Sequence, residues 1–210
     1  MQPTNEWYYF TDIIDKATCK KIINVAGNVW EGTEVNVNKA ISEEERKTGR
    51  VLQNESNPKI RISNIHWTRE QWMYDLIWPY MVTANQDAGW RYAIKSAETM
   101  QITRYKKGGH YDFHYDGCGD HLSAYSEPGN IFMDGHVRKL SMTLLLNDNY
   151  EGGEFQFTSY AKEKCKISTP EFNNVGSIIV FPSYIEHRVA PVTKGVRYSL
   201  VTWFLGPPFV

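Results

Sequence analysis

Between Tyr105 and Asp116 the chain reads Tyr-Lys-Lys-Gly-Gly-His-Tyr-Asp-Phe-His-Tyr-Asp, so imidazole and carboxyl groups alternate with aromatic rings. Successive side chains of a strand point to opposite faces. His110, Asp112, His114 and Asp116 would then share one face, with Tyr111, Phe113 and Tyr115 packing the other. A His-x-Asp pair can give one nitrogen and one carboxylate oxygen to a single ion. One further histidine completes the two-histidine, one-carboxylate face that suits non-haem Fe(II). We read His187 as that third donor.

His-x-Asp occurs twice, at His110-Tyr-Asp112 and at His114-Tyr-Asp116, and a bare pair is often only a satisfied polar patch. The second copy is favoured because it runs into Gly117-Cys118-Gly119 and a long loop, an open strand end that a substrate can reach. The first follows the Gly108-Gly109 turn, which places it at a closed end. Cys118 is a soft alternative ligand, but a single thiol on a glycine loop carries no specific signal.

The segment 181–199 reads as a strand, a turn, a strand, a tight turn at Lys194-Gly195 and a returning strand. In that last hairpin Arg197 falls opposite Pro191, four residues beyond His187, or about 13 Å at strand rise. A five-carbon diacid plus an arginine side chain would bridge that gap. Arg197, Ser199 and Trp203 share one parity, so a guanidinium and a hydroxyl would both face inward. A buried arginine needs an anion. Its partner is either a core Asp or Glu or, as the spacing to His187 favours, the carboxylate of a ligand.

The elements that must hold these groups follow from hydrophobic period. Trp7 to Ile14 reads as a short strand, followed by a helix from Lys16 to Trp30 with Asp15 as N-cap and Ile22, Ile23, Ala26 and Val29 as its buried stripe. Glu31 to Lys59 is polar, either a solvated excursion or a flap that orders on a substrate. Thr68-Arg-Glu-Gln71 has the form of a capping box and opens a helix in which Trp72, Leu76, Ile77, Tyr80 and Met81 recur to about Gln86, across Pro79. After Gly89 the period becomes two. Glu98–Tyr105, Tyr111–Asp116, Leu140–Leu146, Glu154–Phe157, Ser177–Phe181, His187–Val192 and Val196–Phe204 read as strands, which suits a sandwich or jelly-roll barrel. Gly152-Gly153 lacks the Lys-Ser/Thr of a phosphate loop and reads as a tight turn. His66, His121 and His136 read as surface or capping residues.

At 210 residues the chain suits one sizeable core, and a single domain over 1–210 is expected. A formal charge of −1 without a Lys/Arg block argues against a duplex-binding protein, though not against a peptide or single-stranded ligand. Three dispersed cysteines in no metal or redox spacing favour a reducing compartment. The opening residues lack the pattern of a signal peptide, and no apolar run reaches membrane-spanning length, so a soluble, cytoplasmic protein is expected.

Taken jointly, Thr103-Arg-Tyr105, His114-x-Asp116, Arg138-Lys-Leu-Ser-Met-Thr143-Leu-Leu-Leu-Asn, Tyr150-Glu-Gly-Gly-Glu154, Phe181-Pro-Ser183, His187 and Arg197-x-Ser199 resemble the Fe(II)/2-oxoglutarate-dependent dioxygenases of the prolyl 4-hydroxylase type, including the bacterial PKHD-type hydroxylases. The resemblance covers residues 96 to 206. It implies a mainly β fold with N-terminal helices, a double-stranded β-helix core of the jelly-roll, cupin-like kind over 96–206, braced by helical support in 1–95. It implies Fe(II) held by His114, Asp116 and His187, with 2-oxoglutarate and O2 as co-substrates, ascorbate as reductant, and succinate and CO2 released as a C–H bond is hydroxylated. Arg197 would pair with the distal carboxylate of 2-oxoglutarate, assisted by Tyr105 and by Ser199 or Thr143. Many relatives with animal or plant substrates carry Lys at that position, so Arg197 resembles the bacterial branch. Tyr115 and Trp203 would line the substrate pocket or simply pack as aromatic core, and Arg138, with His136, would touch substrate. The implied substrate is a prolyl residue in a peptide or protein; the competing readings are a free amino acid or other small molecule, a metal-binding jelly-roll module without turnover, and nucleic-acid demethylation, which the near-neutral charge opposes. The 117–136 loop is longer than in shorter versions of the motif.

Overall fold

A computed structural model describes residues 5–33, 59–117, 122–161 and 164–209. The strand elements are β1 (Tyr8–Phe10), β2 (Glu31–Thr33), β3 (Arg61–Thr68), β4 (Ser96–Ala97), β5 (Met100–Tyr105), β6 (His110–His114), β7 (Val137–Leu145), β8 (Tyr150–Gly152), β9 (Phe155–Ala161), β10 (Lys164–Ser168), β11 (Ile178–Pro182), β12 (His187–Val189), β13 (Val192–Gly195) and β14 (Arg197–Gly206). Two helices, α1 (Lys16–Ala26) and α2 (Gln71–Asp87), complete the described residues. One antiparallel sheet runs in the order β1-β11-β7-β14-β5-β3-β6-β12-β9-β10, with β2 added to β3, β4 added to β14 and β13 paired with β8 apart from it.

The sheet curls until its two halves face each other. Phe157 of β9 meets Phe181 of β11 edge-on at 5.0 Å, and Phe155 lies 5.6 Å from the same ring. Around them Tyr105, Leu145, Ile179 and Val189 form an inner core. The outer face of β5, β7, β11 and β14 carries Met100, Ile102, Leu140, Met142, Ile178 and Leu200, and on it the buried stripes of both helices pack. This is the expected jelly-roll with helical bracing.

Several local expectations change. Asp15 does cap α1: its carboxylate accepts from Thr18 N at 2.8 Å and from the Thr18 hydroxyl at 2.7 Å. Those bonds hold the Asp15 carboxyl below its usual pKa. The helix stops at Gly27, whose φ of 49° ends the turn, so Val29 is 68% exposed and the stripe is Cys19, Ile22 and Ala26 instead. The capping box does not form. Thr68 still belongs to the ladder, opposite Met100, two residues before the N-cap Glu70, which makes no side-chain cap bond.

The largest correction concerns the N-terminal half, which is not only helical support. β3 lies between β5 and β6 and joins the two halves of the sheet. Of the expected Glu31–Lys59 excursion, residues 31–33 pair with β3, and the flap reading at 34–58 lies outside the described residues, as do His121 and Cys118. His66 lies in β3, with its Nδ1 3.0 Å from Val29 O. The expected hairpin between 187–192 and 196–204 also fails. β13 pairs with β8, while β14 pairs with β5 and β7, so Arg197 stands opposite Tyr105 and not Pro191. No helix among the described residues is long and apolar enough to cross a membrane.

Candidate metal centre and its cavity

His114 closes β6 and His187 opens β12, and the two residues are register partners. Asp116 lies two residues beyond the strand, where its N–H donates to Ser183 O at 3.0 Å. These three side chains bring two imidazole nitrogens and a carboxylate oxygen within 4.8 Å of one another. The Asp116 oxygens are 3.7 Å from His114 Nε2 and 3.5 Å from His187 Nε2. Each histidine is oriented from behind: Nδ1 of His114 lies 2.7 Å from Asp112 O, and Nδ1 of His187 lies 2.9 Å from Ile185 O. Donation of Nδ1–H to a carbonyl leaves Nε2 as a lone-pair donor aimed at the centre.

The charges agree with that role. Burial first, and then the neighbouring His187, push His114 down to about 3, so the ring is neutral and free to ligate. Burial opposes ionisation of Asp116, but His187, His114, Arg138 and the Ser141 hydroxyl outweigh it and hold the carboxyl at about 2. Ser141 Oγ donates to Asp116 Oδ2 at 2.7 Å and lies 2.9 Å from Ser183 Oγ. A hard carboxylate, two borderline imidazoles and an incomplete protein shell fit Fe(II). Ser141→Ala should weaken metal binding about 10–100-fold by releasing that carboxylate, as read by titration with Mn(II). An unchanged affinity would mean that Asp116 is held by its backbone alone.

The first His-x-Asp copy is not brought to this centre. The ring nitrogens of His110 lie 3.1 Å from Gly108 O and 3.3 Å from Lys59 O. Asp112 is exposed and accepts from the N–H of Phe113. The expected separation of polar and aromatic faces also breaks. Register between β6 and β12 runs from His187 opposite His114 to Val189 opposite Tyr111, which leaves one extra residue on β6. That bulge turns Tyr111 onto the same side as His114. The two rings stack with centroids 3.4 Å apart.

A cavity of about 530 Å³ opens on the three donors. Arg197 in its wall is 1% exposed, and Tyr105, its register partner, presents its ring 5.6 Å from Cζ. Nη1 donates to Ser199 Oγ at 3.1 Å, whereas the buried Nε has no partner, and no described carboxylate pairs with this guanidinium. Gly153 makes room for it: at φ +69° any Cβ there would come 3.0 Å from Arg197 Cδ. Thr143 and Ser199 line the same wall. An unmatched buried cation beside a hydroxyl is what the distal carboxylate of a diacid requires, so these residues fit 2-oxoglutarate.

The three residues expected near substrate separate. Tyr115 stands at the cavity mouth, 38% exposed, and Trp203 lines the wall with its Nε1 buried and unpartnered. Arg138 lines it too, but its charge is taken. Its Nε and Nη2 donate to the two oxygens of Glu98 at 2.6 Å each. A second bulge, where Phe204 faces Leu140 but Leu205 faces Arg138, turns Arg138 inward. Burial acts against its charge, and Glu98 more than restores it. Glu98→Ala leaves that guanidinium buried and alone; about 3–5 kcal/mol of stability should be lost, read by urea unfolding of the metal-free protein. A loss under about 1 kcal/mol would mean that solvent screens the pair.

Arg61, Gln101, Glu98, Ser141 and Ser183 also shape the site, and none was singled out by residue type. For Ser141 and Ser183 the signal was present in the segments that carry the resemblance. For Arg61 and Gln101 there was no such signal, because the inward positions of β3 mix polar Arg61 and Ser63 with apolar Ile65 and Trp67.

A model of the 2OG-Fe(II) oxygenase superfamily matches residues 100–205. A PKHD-type hydroxylase from Xylella fastidiosa strain M12 is 34% identical over 108 residues, covering 49% of this chain and 42% of that protein. A PKHD-type hydroxylase from Pseudomonas putida strain W619 is 31% identical over 105 residues, covering 49% and 41%. The match thus spans less than half the length of these relatives. Among solved structures, a Pseudomonas putida prolyl-4-hydroxylase superposes with a TM-score of 0.62 at 19% identity, over 96% of this chain and 93% of that one. A prolyl hydroxylase from Trichoplax adhaerens, in complex with a hypoxia inducible factor oxygen degradation domain peptide fragment, gives 0.61 at 16% identity over 96% and 84%. At these identities the likeness is one of fold.

Proposed function

Because the chain belongs to the 2OG-Fe(II) oxygenase superfamily, we propose that it hydroxylates a C–H bond of a prolyl residue in a peptide or protein, with His114, Asp116 and His187 holding Fe(II) and Arg197 holding 2-oxoglutarate. The observation that carries this reading is the gathering of two imidazoles and an ionised carboxylate at the floor of a cavity whose wall holds a buried arginine without a described carboxylate. Fe(II) with 2-oxoglutarate and O2 supplies oxidative hydroxylation, releasing succinate and CO2. Ascorbate is the proposed reductant.

The chain's own residues bind, orient and exclude water. Asp112 O and Ile185 O fix the two imidazoles, and the Ser141 hydroxyl fixes the carboxylate. Arg197 and Ser199 receive the far carboxylate of the diacid and so point its reactive end toward the metal. Phe155 and Phe181, packed on His187 at 5.5 and 4.6 Å, keep that side of the centre dry. No protein group need act as general base or nucleophile. The prolyl substrate is supported by the names of the PKHD-type relatives and of the structural neighbours, one of which holds a peptide. The same proposal treats residues 1–210 as a single domain, supported by β3 lying within the sheet that carries the site.

The deciding experiment measures succinate from 2-oxoglutarate with Fe(II) and ascorbate, for the chain and for His187→Ala, with and without a pool of proline-containing peptides. Turnover that peptides stimulate and the substitution removes is the expected result. Metal binding without any succinate would instead make the chain a binding module.

A further inference from the structure

Arg197 is not the only buried arginine in the cavity wall. Arg61, the first residue of β3, is 7% exposed and stands opposite Tyr111 of β6. Its Nε donates to Ser63 Oγ and its Nη2 to Gln101 Oε1, each at 2.8 Å, and both acceptors are neutral. Its Cζ lies 4.6 Å from the centre of the Tyr111 ring, the ring that stacks on His114. Nη1 has no described partner, and no described carboxylate pairs with the group. Arg61 is thus a positive charge one aromatic ring away from the metal centre.

Among the described residues, a charge inventory of the loaded site leaves Arg61 over. The two positive charges of Fe(II) and the one of Arg197 are balanced by Asp116 and the two carboxylates of 2-oxoglutarate. Arg138 is balanced by Glu98. Hydroxyl, amide and ring dipoles orient the Arg61 guanidinium but do not neutralise it, and burial penalises an unpaired charge. The ligand still to arrive is the substrate.

We propose that Arg61 is the receptor for a carboxylate on the substrate, so that the hydroxylated residue carries a free carboxylate or is followed by an acidic side chain. This rests on the hydroxylase reading above and narrows it. Arg61 presents a planar fork, which suits a carboxylate, and Ser63 and Gln101 hold that fork in position. A neutral peptide carbonyl would accept a hydrogen bond there but leave the positive charge unbalanced.

The test uses the protein loaded with Mn(II) and 2-oxoglutarate, titrated by tryptophan fluorescence, since Trp67 and Trp203 both line the cavity. Two probe pairs distinguish the sources: N-acetyl-L-proline against N-acetyl-L-prolinamide, and acetyl-Pro-Asp-amide against acetyl-Pro-Asn-amide. In one pair the acid should bind about tenfold or more tighter than its neutral partner. Arg61→Gln should bring that ratio to near one, Arg61→Lys should keep part of it, and the 2-oxoglutarate affinity of both variants should stay within about threefold of the parent. Neutral probes that match their acids in both pairs overturn the proposal, as does a preference that survives Arg61→Gln. If Arg61→Gln does not fold, Arg61→Lys carries the test, and an acid preference undiminished in that variant overturns the proposal. The same probes with Fe(II) separate the two readings: an acid preference without succinate defeats the hydroxylase and keeps the receptor, while succinate without an acid preference does the reverse.

Discussion

Asp116→Ala should bind no Fe(II) and form succinate only at the rate of metal-free protein, while Asp112→Ala keeps activity within about threefold of the parent. The two aspartates sit four residues apart on one strand and its extension, yet their surroundings differ in every respect that matters to a metal. Asp116 is buried, stays ionised and supplies the only negative oxygen among the three donors. Its removal leaves two imidazoles and no anionic donor, too weak a set for an Fe(II) that must also hold a diacid. Asp112 faces solvent and serves the N–H of the next residue. The same contrast holds for His114→Ala against His110→Ala, since His110 points to the carbonyls of Gly108 and Lys59. Metal content after dialysis and succinate release check both pairs. Comparable losses in the first and second copies would displace the centre from where the three donors meet.

Arg197→Ala should raise the 2-oxoglutarate requirement about 10²–10³-fold, the effect of removing one partner of a buried charge pair worth about 3–5 kcal/mol. The affinity for metal alone should move less than about threefold. Arg197 touches none of the three donors; its described contacts are Ser199, Tyr105 and the surface left bare by Gly153. Arg197→Lys keeps the charge but loses the planar fork and should fall between the two. The comparison is made by measuring succinate against 2-oxoglutarate concentration at saturating iron, and metal affinity in the absence of the diacid. Equal losses of both affinities would make Arg197 a structural residue.

The residues that gather at the centre were legible because each lies in a short segment with a chemical signature, and the strand-rich second half because its outer face is apolar at period two. β3 was not legible, and the reason is physical. Its residues Arg61, Ile65 and Trp67 line a cavity instead of filling a core, and Ser63 accepts from Arg61 beside them, so the hydrophobic alternation that marks a strand is diluted by polar groups. Tyr111 falls on the opposite face from the expected one because it lies beside a bulge, and a one-residue offset inverts parity without leaving a mark in composition. The route from His187 to Arg197 was misread for a different reason. A Lys-Gly turn suggests a hairpin, but β13 was claimed by β8 and β14 by two longer neighbours. Thr68 shows the same competition on a smaller scale: a cap needs a residue free of the ladder, and Thr68 is still in it.

Both histidines belong to one half of the curled sheet, whereas Asp116 is moored to the other through the Ser183 carbonyl and the Ser141 hydroxyl. An ion shared by all three therefore works as a rivet across the seam between the halves. Loss of that ion would remove one tie between the halves at the mouth of the cavity, leaving the Asp116 N–H bond to Ser183 O to hold the seam there.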